Sequence, residues 1–410
     1  MSKQTFVIAG ASLAGAKAAQ ELREHGFDGR VVLIGSEPER PYERPPLTKD
    51  YLRGESEREK TYVHTAGFYE EHDIELMTGT TVTAIDPDGS RVTLDGGREL
   101  SYDRLLLTTG SEPRRISAPG AELDGIHYMR SIADCDVLRR RLDDSRRVAV
   151  VGAGWIGSEF AASARQLGLE VTVIDPLALP NERIFGVEVG GFYRDVHVKH
   201  GVEMLLGQGI EAFEGPGTVA RLRTSAGRVV ECDFAVVGIG IAPRTGLAAD
   251  AGLAVDNGVV TNARLETSAP GIFAAGDVAS AWHPFYEHHI RVEHWANALN
   301  QGPAAARAML GEDVSFDRIP YFFSDQYDVG MEYSGYATSW DQVVFRGDRD
   351  GGEFVAFWLS DGRVVGGMNV NVWDVNQHVQ ELIRSRRSVD VAALTDPDTP
   401  LDSLVTESTA

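Results

Sequence analysis

The sequence predicts an α/β protein in which two nucleotide-binding βαβ domains are followed by a C-terminal α+β domain. Three observations carry the prediction. Glycine-rich turns after short β-rich runs occur twice, at 10–15 and at 152–157. A strand running into Gly-Asp, TSAPGIFAAGDVAS at 267–280, follows the second of them. From about residue 324 the pattern changes to alternating strands, SWDQVVFRGD and GEFVAFWLSDGRVVGGMNVN, and then a helix, WDVNQHVQELIRS.

The first segment, TFVIAGASLAGAKAAQELREHGFDGRVVLIGSE, reads as strand, turn, Ala-rich helix and strand, a βαβ unit. Its turn, Gly10-Ala-Ser12-Leu-Ala14-Gly15, has Rossmann spacing with serine at the middle glycine. The first glycine permits the tight turn, and Gly15 lets helix and strand approach. The middle position brings backbone N–H groups to a pyrophosphate at the positive end of the helix. Serine is small enough to keep that contact but weakens the match. Taken alone, the motif also fits a turn that merely packs a helix on a sheet.

The second segment, RVAVVGAGWIGSEFAASARQLGLEVTVID at 147–175, is cleaner. Gly152, Gly154 and Gly157 stand at full spacing after a valine-rich strand, and the next strand ends at Asp175. An acid there accepts a ribose 2′-hydroxyl and repels a 2′-phosphate, so NADH is expected over NADPH, with Arg183 close enough in sequence to temper the preference. Asp277, at a strand end beside a helix start, suits hydrogen bonds from a flavin's ribityl chain. Two cofactors are therefore expected, FAD and NAD(H). The flavin motifs flank the second fingerprint, so the FAD domain is expected to be discontinuous, 1–110 and 243–323. The NAD domain, 111–242, is inserted in it, and 324–410 forms the third domain.

Composition sets the outer limits. At 410 residues the chain exceeds one ordinary core. Lys and Arg number 39 against 61 acids, a net charge of −22, which disfavours a nucleic-acid partner. No apolar run approaches the roughly 18 residues of a membrane helix, and MSKQTFVIAG enters a strand without a signal-peptide pattern. The two cysteines, Cys135 in a predicted helix and Cys232 in a predicted strand, have no close sequence partner. That suits a reducing cytoplasm and disfavours dithiol redox chemistry. His283, His288, His289 and His294 are irregularly spaced, so no metal is expected; they read as loop residues near the flavin mouth. The polar tail DPDTPLDSLVTESTA is expected to fray at its end.

The order of motifs resembles that of the FAD-dependent, NADH-linked ferredoxin reductases of oxygenase systems, with apoptosis-inducing factor a more distant relative. The resemblance runs over nearly the whole chain, through RPPLTKDYL (44–52), GAGWIGSEFAA (152–162), VVGIGIAPRT (236–245), GIFAAGDVA (271–279), RVEHWANALNQG (291–302) and YFFSDQYD (321–328). It implies that the segment opening at Arg44 wraps the flavin, with Lys49 at the N5 edge and Glu159 as its carboxylate partner. Pro45 and Pro46 suit a stiff wall, since each fixes its own φ and biases the residue before it. The resemblance places Ala14 and Gly15 at the pyrophosphate, and Glu37, beside Ser36, at the flavin-side ribose. Val82 is placed at the adenine, and Arg130, Asp277, Glu293 and Trp295 around the flavin. Ile156 and Gly240 fall on the NAD side. Phe323 stands where the family often has tryptophan, and DVGMEYSGYA departs from the closest reductases.

The implied activity is electron transfer from NADH through FAD to a ferredoxin-type [2Fe–2S] protein or a rubredoxin, by a monomer or homodimer, without membrane or nucleic acid. The alternatives are an NADH oxidase or quinone or nitro-compound reductase without a protein partner, and a redox-sensing flavoprotein like apoptosis-inducing factor. Acceptor ferredoxins are usually acidic, so Arg139, Arg140, Arg141, Arg146 and Arg147, or Arg384, Arg386 and Arg387, are candidate docking patches; solvated helix faces are the plainer reading.

Overall fold

Strands that the sequence marks as unbroken apolar runs form a parallel sheet in each of two units. A computed structural model describes residues 3–406. One unit comprises Met1–Arg44, Glu57–Glu112 and Ile241–Arg318, the other Pro45–Ser56, Pro113–Gly240 and Ile319–Ala410. Residues 45–56, which the sequence assigns to the flavin domain, therefore fall with the second unit, as do 319–410.

In the first unit the sheet runs Ile272–Ala274, Arg104–Leu107, Thr5–Ala9, Arg30–Ile34, Ile74–Met77, all parallel. Both faces are covered, which is why its strands are apolar throughout rather than alternating. Phe6 and Ile8 point into a cluster with Ala18, Ala19 and Leu22 of the helix Leu13–Glu24 and Ala305 and Ala306 of Trp295–Met309. Val7 and Ala9 point the other way, onto Ile85, Val92 and Leu94 of a three-stranded antiparallel meander.

The second unit repeats the plan. Its parallel sheet runs Glu203–Leu206, Glu170–Asp175, Arg147–Val151, Phe234–Val237, Ile126–His127. A separate antiparallel sheet follows in the order Tyr321–Gln326, Val329–Gly335, Arg363–Val370, Glu353–Ser360, Gln342–Asp348. The helix Glu182–Lys199, broken at Gly186 (φ 78°), supplies Phe185, Val189 and Tyr193 to the core of that sheet, where the Trp358 indole donates to the Phe185 carbonyl at 3.0 Å. This shared core ties 319–410 to 113–240.

Two local readings are corrected. His283 ends the strand Ala279–His283, and His288 and His289 open the strand His288–Ile290 that pairs with it antiparallel, so these three are hairpin residues, not loop residues. The turn between them closes with Glu287 at φ 60°. Cys232 lies between two strands rather than within one. Asp233 accepts the Arg146 and Arg147 backbone N–H groups at 2.9 Å each, and so ties this junction to the start of the strand Arg147–Val151. The end of the polar tail, 407–410, lies outside the described residues.

Candidate active site

In the first unit, the strand Thr5–Ala9 delivers the glycine turn to the start of the helix Leu13–Glu24. A Cβ on Gly10 (φ 126°) would lie 2.1 Å from the Thr108 carbonyl oxygen, and one on Gly15 would lie 2.1 Å from that of Gly10. Both glycines are dictated by backbone packing alone. The middle position differs. Ser12 caps the helix in extended backbone (φ −118°), which any residue adopts, so serine is unstrained there. Its side chain makes no cap hydrogen bond, and the first helical turn carries no acid. Backbone N–H groups are thus left for an anion at the positive helix end.

Arg44 joins the parts of this cradle. Its guanidinium donates to the Ser12 hydroxyl and lies 3.5 Å from the Glu37 carboxylate, which also accepts from the Tyr42 hydroxyl. Glu37 is brought to the glycine turn by these contacts, whereas Ser36 is exposed. Val82 opens the strand Val82–Asp86, paired with Leu94. At the Gly-Asp turn, Gly276 (φ 78°) donates its N–H to Gln301 at 2.9 Å, Arg291 donates to the Asp277 carbonyl at 3.3 Å, and Glu293 pairs with Arg291 at 2.5 Å. Trp295 opens the next helix, and burial raises the carboxyl of Glu43.

The second unit carries the other fingerprint. A Cβ on Gly152 (φ 106°) would lie 2.3 Å from the Gly238 carbonyl oxygen, and one on Gly157 would lie 2.0 Å from that of Gly152. At Gly154 the nearest atom would be 3.9 Å away, so no protein packing demands glycine there. Gly154 is the uncapped N-cap of Trp155–Gln166, again with no acid in the first turn. Space above an uncapped helix start suits a pyrophosphate. Asp175 is buried at the strand end. Its carboxylate accepts the Ala153 N–H at 2.6 Å and the Leu177 N–H at 2.7 Å, so it braces the turn as well as ending the strand. Ile156 and Arg183 are exposed, and Gly240 takes φ 93° while accepting the Arg114 N–H at 2.9 Å. Arg130 precedes the capping box of Ile132–Asp144, its N–H donating to Asp134.

Lys49 and Glu159 also lie in the second unit, and they meet. The ammonium is 2.7 Å from the Glu159 carboxylate, with the side chains only 12% and 7% exposed. The same carboxylate accepts the Thr48 hydroxyl at 2.5 Å and the Ser324 hydroxyl at 2.7 Å. Phe323 lies beside the pair, its ring centroid 5.5 Å from the Lys49 nitrogen. A buried ion is tolerated only when paired and hydrogen-bonded, and both conditions are met. Sequence reasoning found the pair but missed the hydroxyls of Thr48 and Ser324, although both stand inside motifs it singled out. It also missed Gln301 and Gly302. A Cβ on Gly302 would lie 2.3 Å from the Ala14 carbonyl oxygen, which makes that glycine the close-contact point of the two helices.

Neither thiol is available for redox work. Cys135 and Cys232 are buried and not disulfide-bonded, and burial pushes the Cys232 thiol up to about 12. Among the described residues no group of three His, Cys, Asp or Glu is placed to hold a metal ion, and no helix is long and apolar enough to cross a membrane. Of the basic run, Arg139 lies over the Tyr51 ring at 4.7 Å and Arg147 pairs with Asp233 at 3.5 Å.

Residues 4–302 match the model of a family described as pyridine nucleotide-disulphide oxidoreductase. The chain belongs to that family. Residues 321–405 match a second model, the reductase C-terminal domain, so the architecture is two dinucleotide-binding folds and a C-terminal reductase domain. Among curated members, the ferredoxin–NAD(+) reductase component of the anthranilate 1,2-dioxygenase system of Burkholderia cepacia is 39% identical over 99% of this chain and 98% of its own. Rhodocoxin reductase of Rhodococcus erythropolis is 37% identical over 90% and 86%. Putidaredoxin reductase of Pseudomonas putida is 35% identical over 100% and 98%. Among solved structures, the covalent putidaredoxin reductase–putidaredoxin complex superposes with TM-score 0.94 at 34% identity, over 99% of each chain. The ferredoxin reductase of the CYP199A2 system from Rhodopseudomonas palustris gives 0.95 at 33%, over 98% of this chain and 100% of its own.

Proposed function

We infer that this chain is an NADH-dependent flavoprotein oxidoreductase, a ferredoxin reductase that serves an oxygenase or P450 electron-transfer chain. The observation that carries the reading is the pair of uncapped glycine-turn helices in a chain whose thiols are buried, joined to full-length likeness with ferredoxin–NAD(+) reductases. Such reductases use FAD and NAD(H), and the residues present fit both. Bound FAD supplies hydride acceptance from NADH and one-electron release to an acceptor. The protein binds, orients and supplies charge.

Ser12, Ala14 and Gly15 hold the flavin-side pyrophosphate, Glu37 with Arg44 the ribose, and Asp277 the ribityl chain. Gly152, Gly154 and Gly157 hold the nicotinamide-side pyrophosphate, with Asp175 at its ribose. Lys49, fixed by Glu159, places its cation where negative charge develops on reduction, and a fixed charge in a water-poor site needs no reorganisation when the reaction occurs. The acceptor class is a ferredoxin-type protein carrying [2Fe–2S], with rubredoxin as the alternative iron protein; the protein acts in the cytoplasm as a monomer or homodimer.

The test is steady-state reduction of cytochrome c by NADH with and without an added [2Fe–2S] ferredoxin. Turnover that depends on the ferredoxin supports the reading. Equally fast NADH consumption with a quinone or oxygen alone overturns it, as does a long-lived charge-transfer complex that fails to turn over.

A further inference from the structure

We propose that His197 is a positioning residue for Lys49, acting through a one-way chain of hydrogen bonds that runs Tyr327, His197, Gln326, Ser324, Glu159. The proposal rests on the reading of Lys49 as the flavin-side cation, and every member of the chain lies in the second unit.

The direction follows from the chemistry of each group. His197 Nε2 lies 2.9 Å from Gln326 Oε1, which can only accept, so the proton is on Nε2. Nδ1 is then an acceptor, and the Tyr327 hydroxyl, 3.1 Å away, donates to it. With its oxygen committed, Gln326 turns its amide N–H to the Ser324 oxygen at 3.3 Å. The Ser324 hydroxyl proton is left for Glu159 at 2.7 Å. Glu159 holds Lys49 with its other oxygen at 2.7 Å. Each donor therefore points toward the carboxylate, which fixes the oxygen that faces the ammonium.

Burial and strain support the arrangement. His197, Gln326, Ser324 and Glu159 are all buried, where an unmade hydrogen bond is costly. Burial lowers the His197 imidazole to about 4, so it is neutral at pH 7, as one donor and one acceptor require. Tyr327 occupies the left-handed region at φ 59°, uncommon for an aromatic residue, and its ring stacks on His200 at 3.7 Å and 4°. A strained residue held in this way marks a position that its surroundings over-determine. The plainer role for His197, tying its helix to the C-terminal sheet, uses the same hydrogen bonds but predicts no change in hydride transfer when they are broken in a folded variant.

Two measurements test the proposal. Long-range 1H–15N NMR on histidine-labelled protein, with His197 assigned through His197→Gln, is expected to show the neutral Nε2–H tautomer. An Nδ1–H tautomer overturns the chain. In stopped-flow reduction by NADH, His197→Phe and Ser324→Ala are each expected to slow hydride transfer about fivefold at unchanged NADH affinity. The double variant should fall no further than either single one. His197→Gln, whose amide N–H reaches the same acceptor, should return to within about twofold of wild type. If His197→Phe does not fold, Gln326→Leu breaks the same link and carries the same expectation. Lys49→Met separates the two claims. If it is slowed while the chain variants run at the wild-type rate, only the positioning role is overturned; if it runs at the wild-type rate, the reading of Lys49 falls and this proposal with it.

Discussion

Replacing Glu159 with glutamine is expected to destabilise the second unit by about 3 kcal/mol, almost all of it through Lys49. At 2.7 Å and an effective dielectric constant of about 20 the bare attraction is on the order of 6 kcal/mol. Desolvation of two nearly buried ions offsets much of that, so the intact pair contributes little net stability. Removal of one partner is another matter, because an uncompensated buried charge costs about 3–5 kcal/mol. Lys49 keeps 12% of its side chain exposed, which places the expectation at the lower end. Glutamine has nearly the same shape, and its oxygen can still accept from Ser324, but its NH2 then faces two donors, Thr48 and Lys49. Lys49→Met should cost less than Glu159→Gln, and the double variant should recover to within about 1 kcal/mol of wild type. The cycle would thus show a coupling of about 2 kcal/mol or more, as expected for groups in direct contact. Urea unfolding followed by circular dichroism at fixed excess FAD, with each variant's linkage contribution subtracted from its own measured FAD Kd, measures all four proteins. An additive cycle, or a loss below about 1 kcal/mol in Glu159→Gln, would refute the reasoning.

Three further outcomes are expected. Gly302→Ala should force apart the helices Leu13–Glu24 and Trp295–Met309, since its Cβ would sit 2.3 Å from the Ala14 carbonyl oxygen; an overpacking cost of about 1–3 kcal/mol in thermal unfolding and weaker retention of FAD on gel filtration would show it. Asp175→Ser should narrow the NADH-over-NADPH ratio of kcat/KM by removing repulsion at a 2′-phosphate. Because Asp175 also accepts the Ala153 and Leu177 N–H groups, the NADH value itself should fall severalfold, and an unchanged ratio counts against the assignment. His197 is about 4 in the folded protein and near 6.5 unfolded, so the unfolded chain takes up the proton first on acidification. The stability His197 confers is complete above about pH 6.5 and is lost as pH falls toward 4, to a total of about 3 kcal/mol. Unfolding titrations of His197→Gln should lack that one-proton slope in the same window, and a parallel pH curve would sink the idea.

The glycine fingerprints were legible because their demands are local. Gly10, Gly15, Gly152 and Gly157 are fixed by a backbone oxygen within a few residues or on the adjoining strand, and their spacing announces the turn. The serine at position 12 looked like a flaw from spacing alone, and only its extended φ shows that the position never required glycine. What stayed hidden depends on long-range pairing. Glu159 is more than a hundred residues from Thr48 and from Ser324 in the chain, and nothing in the local pattern of either hydroxyl marks it as a carboxylate donor. The hairpin carrying His283 and His288 was missed for a related reason. Its strands are only five and three residues long, so the period-2 signal was too brief to read.

The segment 44–52 shows how local stiffness and distant tethers combine to place one charge. The two prolines open a 3-10 turn, Pro45–Thr48, in which their fixed φ removes freedom that the unfolded chain would otherwise keep. Stiffness alone does not position a side chain, however, and this turn is pinned at consecutive points. The Cys135 thiol donates to the Leu47 carbonyl at 3.3 Å, the Ser163 hydroxyl donates to the Thr48 carbonyl at 2.6 Å, and Tyr51 donates to Asp136 at 2.6 Å. The helices Ile132–Asp144 and Trp155–Gln166 thus grip the backbone just before Lys49 and the Tyr51 side chain just after it. Cys135, which the sequence shows only as a helix cysteine without a close sequence partner, is part of that grip. The ammonium then has one carboxylate to meet, and that carboxylate is held by hydroxyls from Thr48 and Ser324. A lysine on a free surface loses its position to side-chain entropy; here the backbone and the counter-ion are both held by groups other than the lysine, and that is what allows a flexible residue to act as a fixed charge.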